Sequence, residues 1–340
     1  MKKYLSVSYL IFLILTASSF SQTKDSTYDE FIKNFKKDYF TVGMLFQVTA
    51  DFQPERTIIG NNEFYISNAR LRILGNLDKS FNYFFQASFV ISPILLDASI
   101  GYKFSDAFNL IAGQFKTPFS KEFLTYAADL DFVNRAQEAA LLSPRRDIGF
   151  QMSGKFASNL FEYRAGIFNG NGPNHLYNDN NSFLYVGRIA FTPHYKNNYY
   201  EVAINAGYDE NSVAAGLLTK NYTGKRTFLG GDLQAVVEEF LFSAEISMNK
   251  LNGKIDSVNT TKEPYGYHIT IGYQPFQKHQ FLFRYDNLTA DGIISNSDLY
   301  IIGYNFWPSK FAEIQINYTI NSKNTSFKNH WYLVNFQLNL

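Results

Sequence analysis

Apolar and polar residues alternate with a period of two along most of the chain after residue 38. In the segment 39–51, apolar side chains occupy every second position, and mostly polar or small residues lie between them. The alternation recurs in the segments 199–209, 240–249, 311–320 and 331–340. Because successive side chains of a β-strand point to opposite sides, each segment has one apolar and one polar face. The pattern predicts strands that separate two unlike environments.

The lengths of these segments favour a membrane barrel over a soluble β-sandwich, whose strands also alternate. They run about ten to thirteen residues, whereas a usual strand has about 5–6. Short and long connections alternate, which is typical of transmembrane barrels with short periplasmic turns and long external loops. The short connections are 77–80, 105–107, 157–159, 277–278 and 308–310, and the long ones are 52–62, 117–146, 170–181, 211–225, 252–263 and 321–328. The sequence therefore predicts an all-β fold, a transmembrane antiparallel β-barrel.

The sequence contains about sixteen such segments, and bacterial barrels are expected to have an even number of strands. The pattern alone also allows fourteen or eighteen, since the signal of a single strand is weak. A barrel of this size holds an aqueous channel, with its polar face inside and its apolar face against lipid. We interpret residues 39–340 as one such barrel domain. The expected strands start near Tyr39, Glu63, Phe81, Leu95, Phe108, Asp147, Phe161, Phe183, Tyr199, Thr227, Phe240, Tyr265, His279, Asp298, Phe311 and Asn329.

The amino-terminal residues have the pattern of a secretory signal peptide. Two lysines precede an apolar run at 10–15, and Ser19 and Ser21 fit the small positions of a cleavage site. An uncleaved anchor is the alternative, but the run is shorter than the ~20 residues that span a bilayer. We expect residues 1–21 to be removed during export to the outer membrane of a Gram-negative type of bacterium. Residues 22–38 are interpreted as a periplasmic lead-in, either a short amphipathic helix or a mobile segment.

Composition narrows the class of protein further. Aromatic residues make up 18% of the chain, which fits the aromatic girdles of a membrane barrel. Charged residues also make up 18%, below the ~25% usual for soluble domains. The absence of cysteine excludes disulfides, thiol catalysis and cysteine-bound metal, and we expect neither a metal nor a cofactor. A formal net charge of +1 provides no basic field for nucleic acid, which is not an expected partner.

The longest connection, 117–146, has an unusual composition for an external loop. Residues 131–142 have helical composition, and Pro118 and Pro144 bound this part of the chain. Its apolar side chains would be exposed to water outside the barrel, whereas folding into the lumen would bury them and narrow the pore. The composition favours the inward fold, and an external lid is the alternative.

Four motifs in and around this connection resemble the phosphate-selective porin O and P family. They are GQFKTPFS at 113–120, DFVNR at 131–135, RRDIGFQ at 145–151 and YRAGIFNG at 163–170. The close resemblance covers about residues 60–195. It implies a trimeric, sixteen-stranded outer-membrane porin whose third external loop folds into the pore. The family has a terminal aromatic residue for barrel assembly where this chain has Leu340. We expect assembly to survive, because the alternation of the last strand still points residue 340 outward.

Basic side chains are the candidates for lining the pore or its constriction. Arginine and lysine suit phosphate and carboxylate groups, and rings of such charges can select anions. The alternative is ordinary lumen polarity, because residues 114–146 hold four acidic groups beside five basic ones. We expect small anions or phosphate as permeant solutes, the phosphate preference being implied by the resemblance, and outer-membrane lipid and a homotrimer as partners. The candidates are Arg70, Arg72, Lys116, Lys121, Arg135, Arg145, Arg146, Lys155, Arg164 and Arg188.

Two other classes of function compete with passive diffusion of small hydrophilic solutes. A barrel-embedded hydrolase needs a nucleophile and a base on one face, and none of the five histidines lies two residues from a serine on a strand. A structural or adhesive barrel should carry aromatic or repeat-rich loops, whereas these loops are polar and irregular. A channel is therefore the favoured function, and an enzyme is not expected.

Overall fold

The computed structural model of the protein describes residues 39–54, 62–90, 94–211, 222–323, 326–327 and 330–340. The predicted signal peptide (1–21) and lead-in (22–38) lie outside the described residues. No helix in the described part of the chain is long and apolar enough to cross a membrane.

The described residues form eighteen β-strands, most of them placed where the chain alternates between apolar and polar residues. The strands are β1 (Thr41–Phe52), β2 (Glu63–Asn76), β3 (Phe81–Ser88), β4 (Leu95–Ser105), β5 (Phe108–Lys116), β6 (Arg146–Phe156), β7 (Phe161–Phe168), β8 (Leu184–Phe191), β9 (His194–Tyr195), β10 (Asn198–Asn211), β11 (Tyr222–Val237), β12 (Phe240–Ile255), β13 (Val258–Lys262), β14 (Tyr265–Phe276), β15 (His279–Thr289), β16 (Ser297–Ser309), β17 (Ala312–Asn321) and β18 (Trp331–Asn339).

Sixteen of these strands close into a single antiparallel barrel, which confirms the predicted fold. Each strand pairs with its neighbour in sequence, and β1 closes the ring by pairing with both β2 and β18. The short strands β9 and β13 are not counted among the sixteen. β9 lies in the connection between β8 and β10, and β13 lies in the connection between β12 and β14; in both cases the two flanking strands pair directly with each other. Closure leaves no open sheet edge, which a strand in hydrocarbon requires because lipid offers no hydrogen-bond partner.

Two expectations about strand ends were wrong. The strand expected from Thr227 begins at Tyr222, and the connection expected at 252–263 is a β-hairpin rather than a loop. In this hairpin β12 continues to Ile255 and pairs with β13. The cross-strand ladder of β11, β12 and β13 extends these strands beyond the segments in which the apolar alternation is regular.

The two faces of the barrel wall differ as the alternation predicts. Along β10, Val202 and Ile204 are 55% and 66% exposed, whereas Ala203 and Asn205 between them are 3% and 4% exposed. The same contrast recurs around the wall, with large aliphatic and aromatic side chains exposed on one face and glutamine, asparagine and charged side chains buried on the other. The buried polar face is therefore the inner face, and the exposed apolar face is the one suited to lipid.

The connection 117–145 between β5 and β6 contains two short helices, α1 (Lys121–Leu124) and α2 (Gln137–Leu141), and a 3-10 turn at Ala127–Asp129. The helix expected over 131–142 is thus limited to α2. Asn305 Nδ2 donates to the Asp131 carbonyl oxygen at 2.8 Å, and the Val133 amide donates to Asn317 Oδ1 at 2.9 Å. Because wall side chains satisfy these backbone groups, the residues before α2 do not need helical hydrogen bonds.

Apolar side chains of the connection pack in four places on the barrel wall. They form small clusters with wall residues, namely Phe119 with Phe168, Leu184, Val186 and Phe228; Ala127 and Ala128 with Leu45; Phe132 with Leu241 and Leu282; and Leu142 with Leu288 and Ala290. The wall members of these clusters lie on several different parts of the ring. The connection is therefore held at many points rather than at its two ends alone.

Replacing Phe132 by alanine is expected to loosen the connection. The ring is 1% exposed, and removing a buried aromatic side chain costs about 3–5 kcal/mol. Limited proteolysis of folded protein in detergent should then cut within 121–142 faster than in the wild type. Phe150→Ala, at an outward ring that is 62% exposed, is the matched control and should leave the cutting rate unchanged. Equal rates for Phe132→Ala and the wild type would contradict the prediction.

Candidate channel constriction

Side chains from the inner face of β16–β18 hydrogen-bond to the backbone of the connection. Gln337 Nε2 donates to the Ala128 carbonyl oxygen at 2.8 Å, and Gln315 Nε2 donates to that of Leu130 at 2.7 Å. Both glutamines are buried, on the face opposite the exposed aliphatic side chains. Together with the contacts of Asp131 and Val133, they place this part of the connection against the polar face of the wall.

Charged side chains attach the rest of the connection to β10–β15. Lys121 Nζ lies 2.9 Å from both Glu201 Oε1 and the Tyr199 hydroxyl oxygen. Glu122 Oε1 accepts from Arg284 Nη1 at 3.1 Å, and the Glu122 amide donates to Glu245 at 2.9 Å. These contacts are made to the inner face of the wall opposite β2–β6, so the connection crosses between the two sides.

A second group of cations faces the connection from β2 and β5. Lys116 Nζ donates to the carbonyl oxygens of Leu124 at 3.1 Å and Thr125 at 2.8 Å. Arg135, within the connection, donates to the carbonyl oxygens of Glu122 and Thr125. The Arg72 guanidinium lies 4.5 Å from the centre of the Tyr126 ring, at the distance of a cation–π contact.

Four cations, the three above and Arg70 on β2, lack a carboxylate partner. In the described part of the chain, no ion pair includes any of them. Lys116 and Arg135 bond to carbonyl oxygens, and Arg72 donates to Asn339 Oδ1 at 2.7 Å. Neutral acceptors compensate part of the desolvation but none of the charge, so no direct ion pair neutralises these four charges. The four are Arg70, Arg72, Lys116 and Arg135.

Buried donors without an acceptor lie in the same region. Arg70 pairs directly with Ser88 across β2 and β3, and Arg72 pairs with Gln86. Arg70 Nε, Ser88 Oγ and the Tyr126 hydroxyl are buried and have no hydrogen-bond partner among the described atoms. An unpaired buried donor costs about 1–3 kcal/mol, which a bound acceptor would recover.

Arg146 and Arg145 differ in their surroundings although they are adjacent. Arg146 makes a bidentate bond to Asp97, with Nε and Nη2 at 3.0 and 3.1 Å from its two oxygens. Its charge is therefore balanced. Arg145 is exposed and adopts a positive φ of 66° at the start of β6. Asp147 accepts from the amides of Ile148 and Gly172, so it is not the partner of either arginine.

The other predicted site residues lie apart from this group and beside carboxylates. Arg188 pairs with Asp232 and with Glu201, the same glutamate that binds Lys121. Lys155 and Arg164 both pair with Glu162, next to the short turn between β6 and β7. Sequence reasoning did not select Ser88 or Tyr126. Ser88 could have been found from strand parity and register, whereas nothing in the sequence places Tyr126 beside Arg72.

A closed barrel that is apolar outside, polar inside and crossed by a long connection between β5 and β6 defines an outer-membrane channel protein. The chain belongs to the phosphate-selective porin O and P family, whose family model matches residues 40–216, more than half of the 340 residues. The resemblance identified from the motifs is thereby confirmed, and it places the chain among channels rather than enzymes. Comparison with curated proteins finds no match.

Solved structures share the fold at low sequence identity. OprB of Pseudomonas putida, in a high-pH structure, has a TM-score of 0.65 at 10% identity, covering 92% of this chain and 97% of that one. An anion-selective porin from Comamonas acidovorans has a TM-score of 0.63 at 10% identity, covering 88% and 99%. OmpT of Vibrio cholerae, in its trimer form, has a TM-score of 0.60 at 11% identity, covering 89% and 100%. The similarity demonstrates the fold alone.

Proposed function

We propose that the protein is a porin for passive diffusion of small hydrophilic solutes across the outer membrane, with a preference for anions that include phosphate. The observation that carries the preference is the group of four cations without carboxylate partners on β2, β5 and the connection. The connection 117–145 acts as the constriction, because its contacts reach across the inner wall between these cations and β10–β18.

Charges at a constriction act on a permeant ion more strongly than charges elsewhere. Walls of low dielectric focus the field of a few side chains, whereas exposed charges more than a Debye length away, ~8–10 Å in physiological to 0.1 M salt, are largely screened. Arginine offers several N–H donors in a fixed fork. This fork suits an oxyanion such as phosphate.

Assembly and export are part of the same proposal. We propose a homotrimer, as the family resemblance implies, and the trimer form of the structurally similar OmpT supports it. Cleavage of residues 1–21 during export is proposed from the sequence pattern. The apolar outer face of the barrel would then contact outer-membrane lipid and the neighbouring subunits.

The zero-current potential across a planar bilayer with a salt gradient tests the ion preference. We expect the wild-type channel to give the sign of an anion-selective pore, and the magnitude to fall at high salt because screening weakens the field. A potential of the opposite sign would refute the anion preference while leaving the channel itself established.

A further inference from the structure

One buried contact joins α2 of the connection to β14 of the wall. Glu138 is 0% exposed and His268 is 2% exposed, and Glu138 Oε1 lies 2.6 Å from His268 Nδ1. The helix presses closely on the wall here, since a Cβ added at Gly266 would lie 2.8 Å from the Glu138 Cβ. Only glycine at 266 allows α2 to reach this position, so the contact is built into the fold.

The surroundings of this pair are predominantly acidic. Carboxyl groups face it from α1, from Asp131, and from β12 and β15, and the permanent positive charge of Arg284 already pairs with Glu122 at 3.1 Å. Glu138 Oε2 and Glu245 Oε1 have no hydrogen-bond partner among the described atoms. The charged groups nearest the pair are Glu122, Asp131, Glu245, Arg284 and Asp286, and Lys121, Asp129 and Asp232 line the cavity beside His268.

These surroundings favour a proton on the pair. Burial, together with the charge of Glu122, raises the pKa of Glu138 to about 8. One proton shared with His268 makes the pair neutral if it resides on Glu138, or an ion pair if it resides on His268; in both cases the net charge is zero. Loss of that proton leaves a buried negative charge beside Glu245 and Asp286. A small cavity of about 60 Å³, lined in part by Glu122, Glu245 and His268, is large enough to admit water.

We propose that the Glu138–His268 pair is a proton-dependent latch, which holds α2 against the channel wall while it keeps its shared proton and releases α2 when that proton is lost. The proposal rests on the proposed function, in which the connection narrows a channel. Release would move α2 away from β12, β14 and β15 and widen the constriction. The attachments at Phe119, Lys121 and Phe132 do not involve this pair and would retain the rest of the connection, whereas the bonds of Gln137 to Asp286 and the packing of Leu142 on Leu288 would break together with the latch.

The direction of the pH effect follows from proton linkage. The pKa of Glu138 is higher when α2 is docked than for a free glutamate, so docking binds the proton more tightly. Docking therefore weakens as pH rises toward about 8, where the docked carboxyl loses its proton. One proton changes the ratio of released to docked channels by up to about tenfold per pH unit in this range.

Single-channel recordings of the full-length protein in planar bilayers between pH 5 and pH 9 test the latch. We expect the wild type to spend more time in a higher-conductance level as pH rises. Glu138→Gln, which carries no titratable proton, should remove this response. Glu245→Gln should end the response at a lower pH, because it removes the repulsion that the ionised pair meets. Glu162→Gln, a carboxylate beside the β6–β7 turn, is the matched control and should respond as the wild type does.

The outcomes separate the two proposals. Absence of channels at every pH would refute the proposed function. Wild-type channels with the same conductance levels and occupancies across the range would refute the latch alone. The latch alone would also be refuted if Glu138→Gln forms channels that keep the wild-type dependence of conductance on pH. A difference in gel mobility between heated and unheated samples verifies that each variant folds, and Glu245→Gln supplies an independent test if Glu138→Gln does not.

Discussion

Deletion of residues 119–142 is expected to raise single-channel conductance several-fold. The connection touches the inner wall at points spread from β1 to β18, so its removal leaves the lumen of a sixteen-stranded barrel, which by itself is wide enough for an aqueous channel. The deletion should be tolerated, because the Thr117 amide donates to the Arg145 carbonyl oxygen at 2.9 Å and keeps the two ends of the gap together. Conductance in 1 M salt is the measurement.

A deletion of similar position but different predicted effect controls for general damage to the external loops. Residues 175–179, between β7 and β8, can be removed from the described chain without touching the Phe119, Ala127, Phe132 or Leu142 clusters, or the bonds of Gly172 to Asp147 and of Asn174 to Gln114. This control should conduct as the wild type does. An unchanged conductance in a folded 119–142 deletion would demonstrate that the connection does not limit flow.

Replacing Arg70 and Arg72 together by glutamine is expected to shift the channel toward cations. Both side chains lack a carboxylate partner, so their removal takes away two positive charges and releases no acidic group. A unit charge acts on an ion 4 Å away by about 1 kcal/mol even in water, so the ratio of anion to cation permeability should fall roughly tenfold or more. The zero-current potential at low salt measures this ratio.

The matched control changes the same number of charges elsewhere in the lumen. Lys155 and Arg164 both lie beside Glu162 near the β6–β7 turn, away from the connection. Their replacement by glutamine also frees Glu162, and it should still shift the potential much less because these charges lie away from the connection. Arg146 makes a poorer test than its position in the sequence suggests, because its removal would leave Asp97 unpaired and add a negative charge. Equal shifts for the two double variants would contradict the assignment of the anion-selecting charges to β2.

The alternation of apolar and polar residues determined the barrel, because strand parity is a local property that a membrane imposes on every segment. Expected and observed starts agree at Glu63, Phe81 and Leu95, and differ at β11, whose first residue Tyr222 pairs with Ile255 at the end of β12, where the apolar alternation is no longer regular. The apolar side chains of 117–146 likewise indicated a segment that packs against the rest of the protein and does not extend into water. Its division into α1, an extended stretch and α2 depended on wall side chains such as Asn305 and Asn317.

The charge balance of the candidate site was decided only by the tertiary structure. The sequence determined that arginines and lysines flank the connection, but the partners that neutralise them come from distant strands. Arg146 pairs with Asp97, 49 residues earlier, while Arg70 faces Ser88 and Arg72 lies over Tyr126. Glu138 meets His268 across 130 residues. A charge acts through distance and burial, and neither is a property of spacing along the chain. The register of the closed barrel and the path of the connection therefore determine which cations remain unpaired and which carboxylate holds a proton.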